Sequence, residues 1–377
     1  MIQRKLSKII ESDLFKGKAI ILFGARQTGK TTLLKAILSN YDKVLWLNGD
    51  ESDAQAIFEQ PTSTRLKHLF AKKRIVIIDE AQRIENIGIK LKLITDHIPE
   101  IQVIATGSSS FELANKVNEP LTGRKWEHQI YPVSFEEMVN HHGFLEEQRL
   151  LNHRLVYGCY PEVITNPGNE KRILSLLADS YLYKDILQWE YIKKSDKLLK
   201  LLKALAYQLG NQVSYNELGN LIGIDNQTVE KYILLLEQTF IIFRLPSLNR
   251  NLRTELKKSR KIYFHDNGIR NALLNDFRLA ELRNDMGVLW ENYMISERYK
   301  HKRYSAWWTN SYFWRTHHQQ EIDYVEERDG KFYAFEFKWK STKNVKLPES
   351  FAKAYPNHSF EVITPDNFEG FILNGVD

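Results

Sequence analysis

Two stretches of this 377-residue chain carry side chains spaced for phosphate chemistry. The first is Gly24-Ala25-Arg26-Gln27-Thr28-Gly29-Lys30-Thr31-Thr32, in which two glycines, a lysine and a threonine fall at the spacing of a phosphate-binding loop. Glycines let the backbone N–H groups turn inward around an anion, and a following helix adds the positive end of its dipole. Lys30 is then placed for the β and γ phosphates of ATP, and Thr31 for a magnesium ion whose other ligands are phosphate oxygens and water. Gly24 to Thr32 are the expected nucleotide-binding residues, with Arg26 and Gln27 shaping the loop. The second stretch, Ile75-Val76-Ile77-Ile78-Asp79-Glu80, is an apolar run ending in two carboxylates. Asp79 suits the metal's coordination sphere, and Glu80 can orient or deprotonate an attacking water.

A third run, Ile101 to Ala105, leads into Thr106-Gly107-Ser108-Ser109-Ser110. A hydroxyl at a strand tip between the two phosphate segments can sense the γ-phosphate or the water, and Thr106 is the first choice; Thr-Gly-Ser is equally ordinary turn and cap chemistry. Arg124 is either an arginine finger acting across a subunit boundary or a surface residue. A glutamate beside the metal aspartate argues for the ASCE branch of P-loop NTPases, which includes AAA+ and RecA-like ATPases, rather than a GTPase.

The elements that must hold these residues are legible as well. Lys18–Phe23, Val44–Leu47, Ile75–Ile78 and Val103–Ala105 are short apolar runs between amphipathic stretches, the pattern of a mostly parallel sheet covered on both faces. The loop at Gly24 directly follows the first run and directly precedes an apolar-periodic helix, the context that its chemistry requires. From about Glu136 the pattern turns helical, with a break at Gly158-Cys159-Tyr160-Pro161 and a tyrosine-rich helix through Asp179 to Tyr191. Asp196–Phe264 has helix-turn-helix spacing: Ser214 and Glu217 fit a capping box, Gly223 a helix stop, and Phe240–Leu245 with Lys261–Phe264 the strands of a wing. The last hundred residues are mixed, with a helix at Leu289–Lys300, strands near Tyr312, Ile322 and Phe335, a helix near Ala352 and a strand at Phe360–Ile363. At this length more than one core is expected. The single cysteine cannot make an intramolecular disulfide, and neither an apolar leader nor a bilayer-spanning run is present, so the expected compartment is the cytoplasm, without a membrane role. A net charge of +6 gives mild support for a polyanionic partner.

The sequence resembles a large prokaryotic family of AAA+ ATPases whose C-terminal half is known only as a domain of unknown function. The resemblance spans the whole chain and rests on Gly24 to Leu33, Asp79-Glu80-Ala81-Gln82, Thr106-Gly107-Ser108-Ser109, Gly123-Arg124, Pro132-Val133-Ser134-Phe135-Glu136-Glu137 and Tyr160-Pro161-Glu162. Ala81 departs from the branched apolar residue usual there, without consequence for catalysis. The resemblance implies an α/β P-loop domain of the AAA+ type over 1–135, a helical lid over 136–195, a winged helix over 196–275, and a restriction-endonuclease-like domain similar to the PD-(D/E)xK nucleases over 276–377. It also implies a homo-oligomer, since such ATP sites usually lie between protomers. Its C-terminal cues are Glu291-Asn292, Glu321-Ile322-Asp323 and Glu336-Phe337-Lys338.

In the winged-helix reading, Gln227–Glu237 is the recognition helix, and Arg250, Arg253, Lys257, Lys258, Arg260 and Lys261 are phosphate contacts to DNA, or else a solvated loop. In the terminal domain, Asp329-Gly330 is a strong hairpin turn, and counting outward sets Asp323 opposite Glu336 and Glu321 opposite Lys338. Two facing carboxylates invite a cation, Mg²⁺ or Mn²⁺, with Glu291 as third ligand and Lys338 assisting the water, while Glu297 faces elsewhere. The alternative is a charge-paired hairpin in which Glu321 bridges Lys338 and no metal binds. His317 and His318 read as a surface pair. Two functions stay open: an ATP-driven machine acting on DNA, or an ATP-controlled switch or scaffold for a protein partner with an inert terminal domain.

Overall fold

The structure, a computed structural model, describes residues 1–108, 117, 120–180, 195–248, 260–307, 309–340 and 345–373. The tyrosine-rich helix expected at 179–191, and the basic residues Arg250, Arg253, Lys257 and Lys258, lie wholly or largely outside the described residues. The chain divides into two compact units, Met1–Tyr131 with Gln238–Phe240, and Pro132–Glu237 with Ile241–Asp377. No helix among the described residues is long and apolar enough to cross a membrane.

The first unit is built on a parallel sheet of β1 (Ala19–Phe23), β2 (Val44–Asn48), β3 (Ile75–Asp79), β4 (Gln102–Gly107) and β5 (Lys125–Gln129), in the order β2-β3-β4-β1-β5. The three central strands are apolar and buried because helices cover both faces of a parallel sheet. β5 reads Lys-Trp-Glu-His-Gln and is only half-buried. It is absent from the strands expected from sequence because an edge strand needs no continuous apolar run. β4 lies between β1 and β3, so Thr106 at its tip stands between the two phosphate segments, as expected.

The second unit begins with the helix Phe135–His142, whose capping box joins Ser134 and Glu137 reciprocally. Further helices follow, with Pro161 opening Pro161–Thr165 at its N-terminus. An antiparallel sheet of β6 (Gln212–Val213), β7 (Ile242–Pro246) and β8 (Arg260–Phe264), in the order β6-β8-β7, encloses the helices Tyr215–Ile222 and Asn226–Gln238 in sequence. Ser214 accepts from Glu217 N at the start of the first of these, and Gly223 ends it at φ +75°. A four-stranded sheet of β9 (Asn310–Arg315), β10 (Glu321–Arg328), β11 (Lys331–Phe337) and β12 (His358–Ile363), in the order β12-β11-β10-β9, closes the unit.

The 19-residue helix Met286–Tyr304 runs through the core of this unit. Asn292 fastens it to β8, accepting from Phe264 N at 2.8 Å and donating to Phe264 O at 3.0 Å. One residue earlier, Glu291 also turns toward β8. Glu297 does face elsewhere: it pairs with Lys300 at 2.6 Å and accepts from Phe135 N at 2.8 Å.

Candidate active site

The phosphate loop leaves the carboxyl end of β1, where parallel sheets present their ligand-binding crevice. Gly24 is required because a Cβ there would lie 2.4 Å from Ile130 Cγ2 and 2.5 Å from the Ile130 carbonyl oxygen. Gly29 precedes the helix Lys30–Ile37 at φ +94°, a left-handed conformation that costs other residues roughly 1–2 kcal/mol. Within the loop, Thr28 Oγ1 donates to Ala25 O at 2.8 Å, and Lys30 Nζ donates to Gly24 O and Ala25 O at 2.8 and 3.0 Å. The lysine is thus buried against the loop it serves. Arg26 is half-buried, and Gln27 and Thr32 are exposed. Arg4, far away in sequence, braces the same loop, donating from Nη1 to Thr28 O at 2.9 Å and from Nη2 to Tyr131 O at 2.6 Å.

Asp79 is where three elements meet. Its Oδ2 accepts from Thr31 Oγ1 at 2.9 Å, and its Oδ1 accepts from Thr106 Oγ1. Thr106 therefore engages the carboxylate of Asp79. Glu80 stands at φ +49°, which swings it out of the line of β3, and its Oε2 accepts from Gln82 Nε2 at 2.5 Å. Gly49 makes room for this turn: a Cβ there would sit 2.4 Å from the Glu80 carbonyl oxygen. Thr31 and Asp79 together offer the hard, closely spaced oxygen donors that magnesium prefers, so the residues present fit that ion.

Arg124 lies at the other end of the sheet. Its carbonyl accepts from Ala19 N at 2.9 Å, at the start of β1, while the phosphate loop follows the end of that strand. Five residues of strand put it roughly 16 Å from its own chain's phosphate loop. Its Nε is 2.6 Å from Asp96 Oδ1, an exposed pair of the kind worth about 0–1 kcal/mol. Arg124 is therefore remote from the phosphate loop of its own chain.

A second group of ionisable residues sits in the second unit. Asp329 and Gly330 form the expected turn at φ +47° and +76°, and the register Arg328↔Lys331 through Tyr324↔Phe335 is the one counted from sequence. Asp323 and Glu336 lie on one face, close enough for a side-chain hydrogen bond, and Lys338 Nζ donates to Glu336 Oε2 at 2.9 Å. Asp323 Oδ2 also accepts from Phe337 N at 2.9 Å. Glu291 is buried and Asp323 acts on it electrostatically, so Glu291, Asp323, Glu336 and Lys338 are indeed neighbours.

Three expectations fail here. Glu321 does not bridge Lys338; it pairs with Lys261 at 2.5 Å and with Arg315 at 3.4 Å, and the β10–β11 pairing ends at Tyr324↔Phe335, short of that position. Lys261 is not a phosphate contact: only 1% exposed, it lies among these carboxylates, 3.2 Å from Glu291 Oε1. As arranged, the cluster does not fit a metal, since no three His, Cys, Asp or Glu among the described residues converge to hold one. His317 and His318 are both exposed.

Burial first, then the Asp323 charge, pushes Glu336 up to about 8 and Glu291 up to about 7. The folded chain thus keeps protons that the unfolded chain releases near the ordinary glutamate value of about 4.3. Stability should fall as pH rises from there through about 8. Asp323→Asn keeps an acceptor for Phe337 N and removes the repelling charge, so melting temperatures across a pH series should decline less steeply for it; an equal decline would exclude the pair as the cause.

Comparison with known proteins agrees with this geometry. Residues 16–139 match an AAA domain, residues 148–280 a domain of unknown function (DUF8612), and residues 286–371 a second (DUF4143). An uncharacterised protein of Mycobacterium tuberculosis is 25% identical over 341 residues, covering 88% of this chain and 73% of that protein. One from Methanocaldococcus jannaschii is 23% identical over 410 residues, covering 97% and 89%. Among solved structures, the Walker-type ATPase of Pyrococcus abyssi is similar in fold, with a TM-score of 0.50 and 16% identity over 73% of this chain and 96% of that one. The loop at Gly24, the strand order and these matches converge: the chain carries an AAA-type P-loop ATPase domain, followed by two domains of unknown function.

Proposed function

We propose that this protein binds ATP with magnesium at Gly24 to Thr32 and hydrolyses it, and that turnover drives conformational change in the remainder of the chain. The observation that carries this reading is the convergence of the Thr31 and Thr106 hydroxyls on Asp79, next to a Glu80 held by Gln82. Lys30 exchanges its bonds to the Gly24 and Ala25 carbonyls for β- and γ-phosphate oxygens. Thr31 and Asp79 hold the magnesium ion, which when bound neutralises phosphate charge. Thr106 keeps Asp79 oriented. Gln82 holds Glu80 Oε2, so Oε1 is the oxygen left to orient the water and take its proton. Release of phosphate from ATP by the purified chain should require Mg²⁺ and stop on chelation; magnesium-independent turnover would refute the assignment.

Arg124 completes the site from a second copy of the chain. Arg124→Ala should leave ATP affinity nearly unchanged and slow hydrolysis; loss of an arginine finger costs a factor of about 10³ to 10⁵. Mixing Arg124→Ala with Glu80→Gln protein should restore part of the activity, because a mixed assembly contains some sites with both residues. No restoration at concentrations where the chains assemble would leave Arg124 a local, structural residue.

For the second unit, the order β6, two helices, β7, β8 supports a winged helix, and helix, three strands, helix, strand supports a restriction-endonuclease-like core. Asn226, Gln227, Glu230 and Lys231 are exposed on the second of those helices and suit contact with DNA, with Glu291, Asp323, Glu336 and Lys338 as the nuclease-like site. A specific observation favours the second reading, a switch or scaffold with an inert terminal domain: Lys261 already pairs with Glu291, one of the carboxylates that a nuclease would offer to metal, and lies within the field of a second, Asp323. Stimulation of ATP turnover by DNA, and cleavage of that DNA, separate the two.

A further inference from the structure

Lys261 belongs to the middle strand of the three-stranded sheet, in register with Gln212 and Leu245. Its side chain nevertheless ends among acidic residues from other elements: Glu291 of the helix Met286–Tyr304 at 3.2 Å and Glu321 of β10 at 2.5 Å, with Asp323 adding its charge. Tyr263, two residues on and so on the same face of β8, donates its hydroxyl to Glu291 Oε1 at 2.6 Å. Each remaining carboxylate is also served by the chain itself. Glu321 has Arg315, Asp323 has Phe337 N and Glu336, and Glu336 has Lys338.

A buried ammonium survives only where anions compensate its desolvation, and the surrounding acids raise the pKa of Lys261 despite its burial. A divalent ion entering the same cluster would meet that ammonium at close range, in a medium that screens poorly. It would also need the carboxylate oxygens that Lys261, Tyr263 and Phe337 N occupy. The lysine lies in the segment 148–280 and the acids in the segment 286–371, so one module supplies the cation and the next supplies its ligands.

We propose that Lys261 is the resident cation of this carboxylate cluster, and that divalent metal binding there and the present position of Lys261 exclude one another. This deepens the inert-domain reading of the second unit and is independent of ATP hydrolysis.

Mn²⁺ is the probe, its free concentration followed by electron paramagnetic resonance, with the full chain carrying Thr31→Ala so that the phosphate loop contributes no site. With Lys261 intact, uptake should be insensitive to Asp323→Asn. Adding Lys261→Met should create an Mn²⁺ site that Asp323→Asn abolishes. Asp323-dependent uptake with Lys261 in place would overturn the proposal, as would a folded Lys261→Met chain that gains no site. If the methionine variant fails to fold, as near-ultraviolet circular dichroism would reveal, Lys261→Gln keeps a donor to Glu291 without the charge and carries the same comparison. Because no arm reads ATP turnover, failure here and failure of the ATPase assignment are separable.

Discussion

Lys30→Ala is expected to abolish ATP binding, whereas Glu80→Gln binds ATP and fails to turn it over. The difference follows from what each side chain touches. Lys30 Nζ lies within 3.0 Å of two loop carbonyls, and in the proposed mechanism its charge serves both ground and transition states. In that mechanism Glu80 acts on the reaction only through water. Glutamine keeps its size and its contact with Gln82 but cannot take a proton. Losing general-base assistance typically costs a factor of about 10² to 10⁴ in rate, so slow residual turnover is compatible with the role. Nucleotide titration by fluorescence or calorimetry, set beside phosphate release, reads both parts. Equal loss of binding in the two variants would sink the division of labour.

Arg298→Met should destabilise the second unit by about 3–5 kcal/mol, the range measured when one partner of a buried ion pair is removed. Arg298 and Glu326 are both fully buried and meet through two parallel bonds, Nε to Oε1 at 2.9 Å and Nη2 to Oε2 at 3.0 Å. Arg298 Nη1 also donates to Phe371 O at 2.6 Å, and Glu326 accepts from Arg328 Nη2 at 2.5 Å. Removing the guanidinium leaves a carboxylate without water and without its main partner. Burial alone would raise the pKa of Glu326, but Arg298 first, then Lys302 and Arg328, outweigh it and bring it down to about 2. The unfolded chain holds this glutamate near 4.3, so the stabilisation is present above that value and is lost as pH falls through about 2. Arg298→Met should therefore flatten the acid limb of the stability curve as well as lower it. A cost below about 1 kcal/mol in denaturant titration would mean that solvent reaches the pair. The consequence extends to the carboxylate cluster, because this pair fastens the helix bearing Glu291 to the strand bearing Asp323.

What the sequence determined by itself is local. A phosphate loop is a run of consecutive backbone N–H groups whose conformation glycines permit, so Gly24 to Thr31 is legible without knowing the fold. Asp79 and Glu80 are legible because an apolar strand must end where its carboxylates begin. The pairing from Arg328↔Lys331 to Tyr324↔Phe335 follows from a two-residue turn and a period of two, and these place Asp323 and Glu336 on one face. Partners distant in sequence were decided only by the tertiary structure. Arg4 reaches Thr28 and Tyr131 across 24 and 127 residues, and no spacing rule connects them. β5 is polar and takes its place at the edge of the sheet by pairing with β1. Lys261 reads as one more charge in a basic run, since sequence records that a lysine is cationic but not which anions the fold will bring to it. Packing made that choice. The helix Met286–Tyr304 and β10 bring Glu291 and Glu321 to Lys261, and burial turns a surface-type charge into the counter-ion of a site. Short motifs survive in one dimension because their geometry is covalently continuous, whereas a buried charge network exists only once separate elements have closed around it.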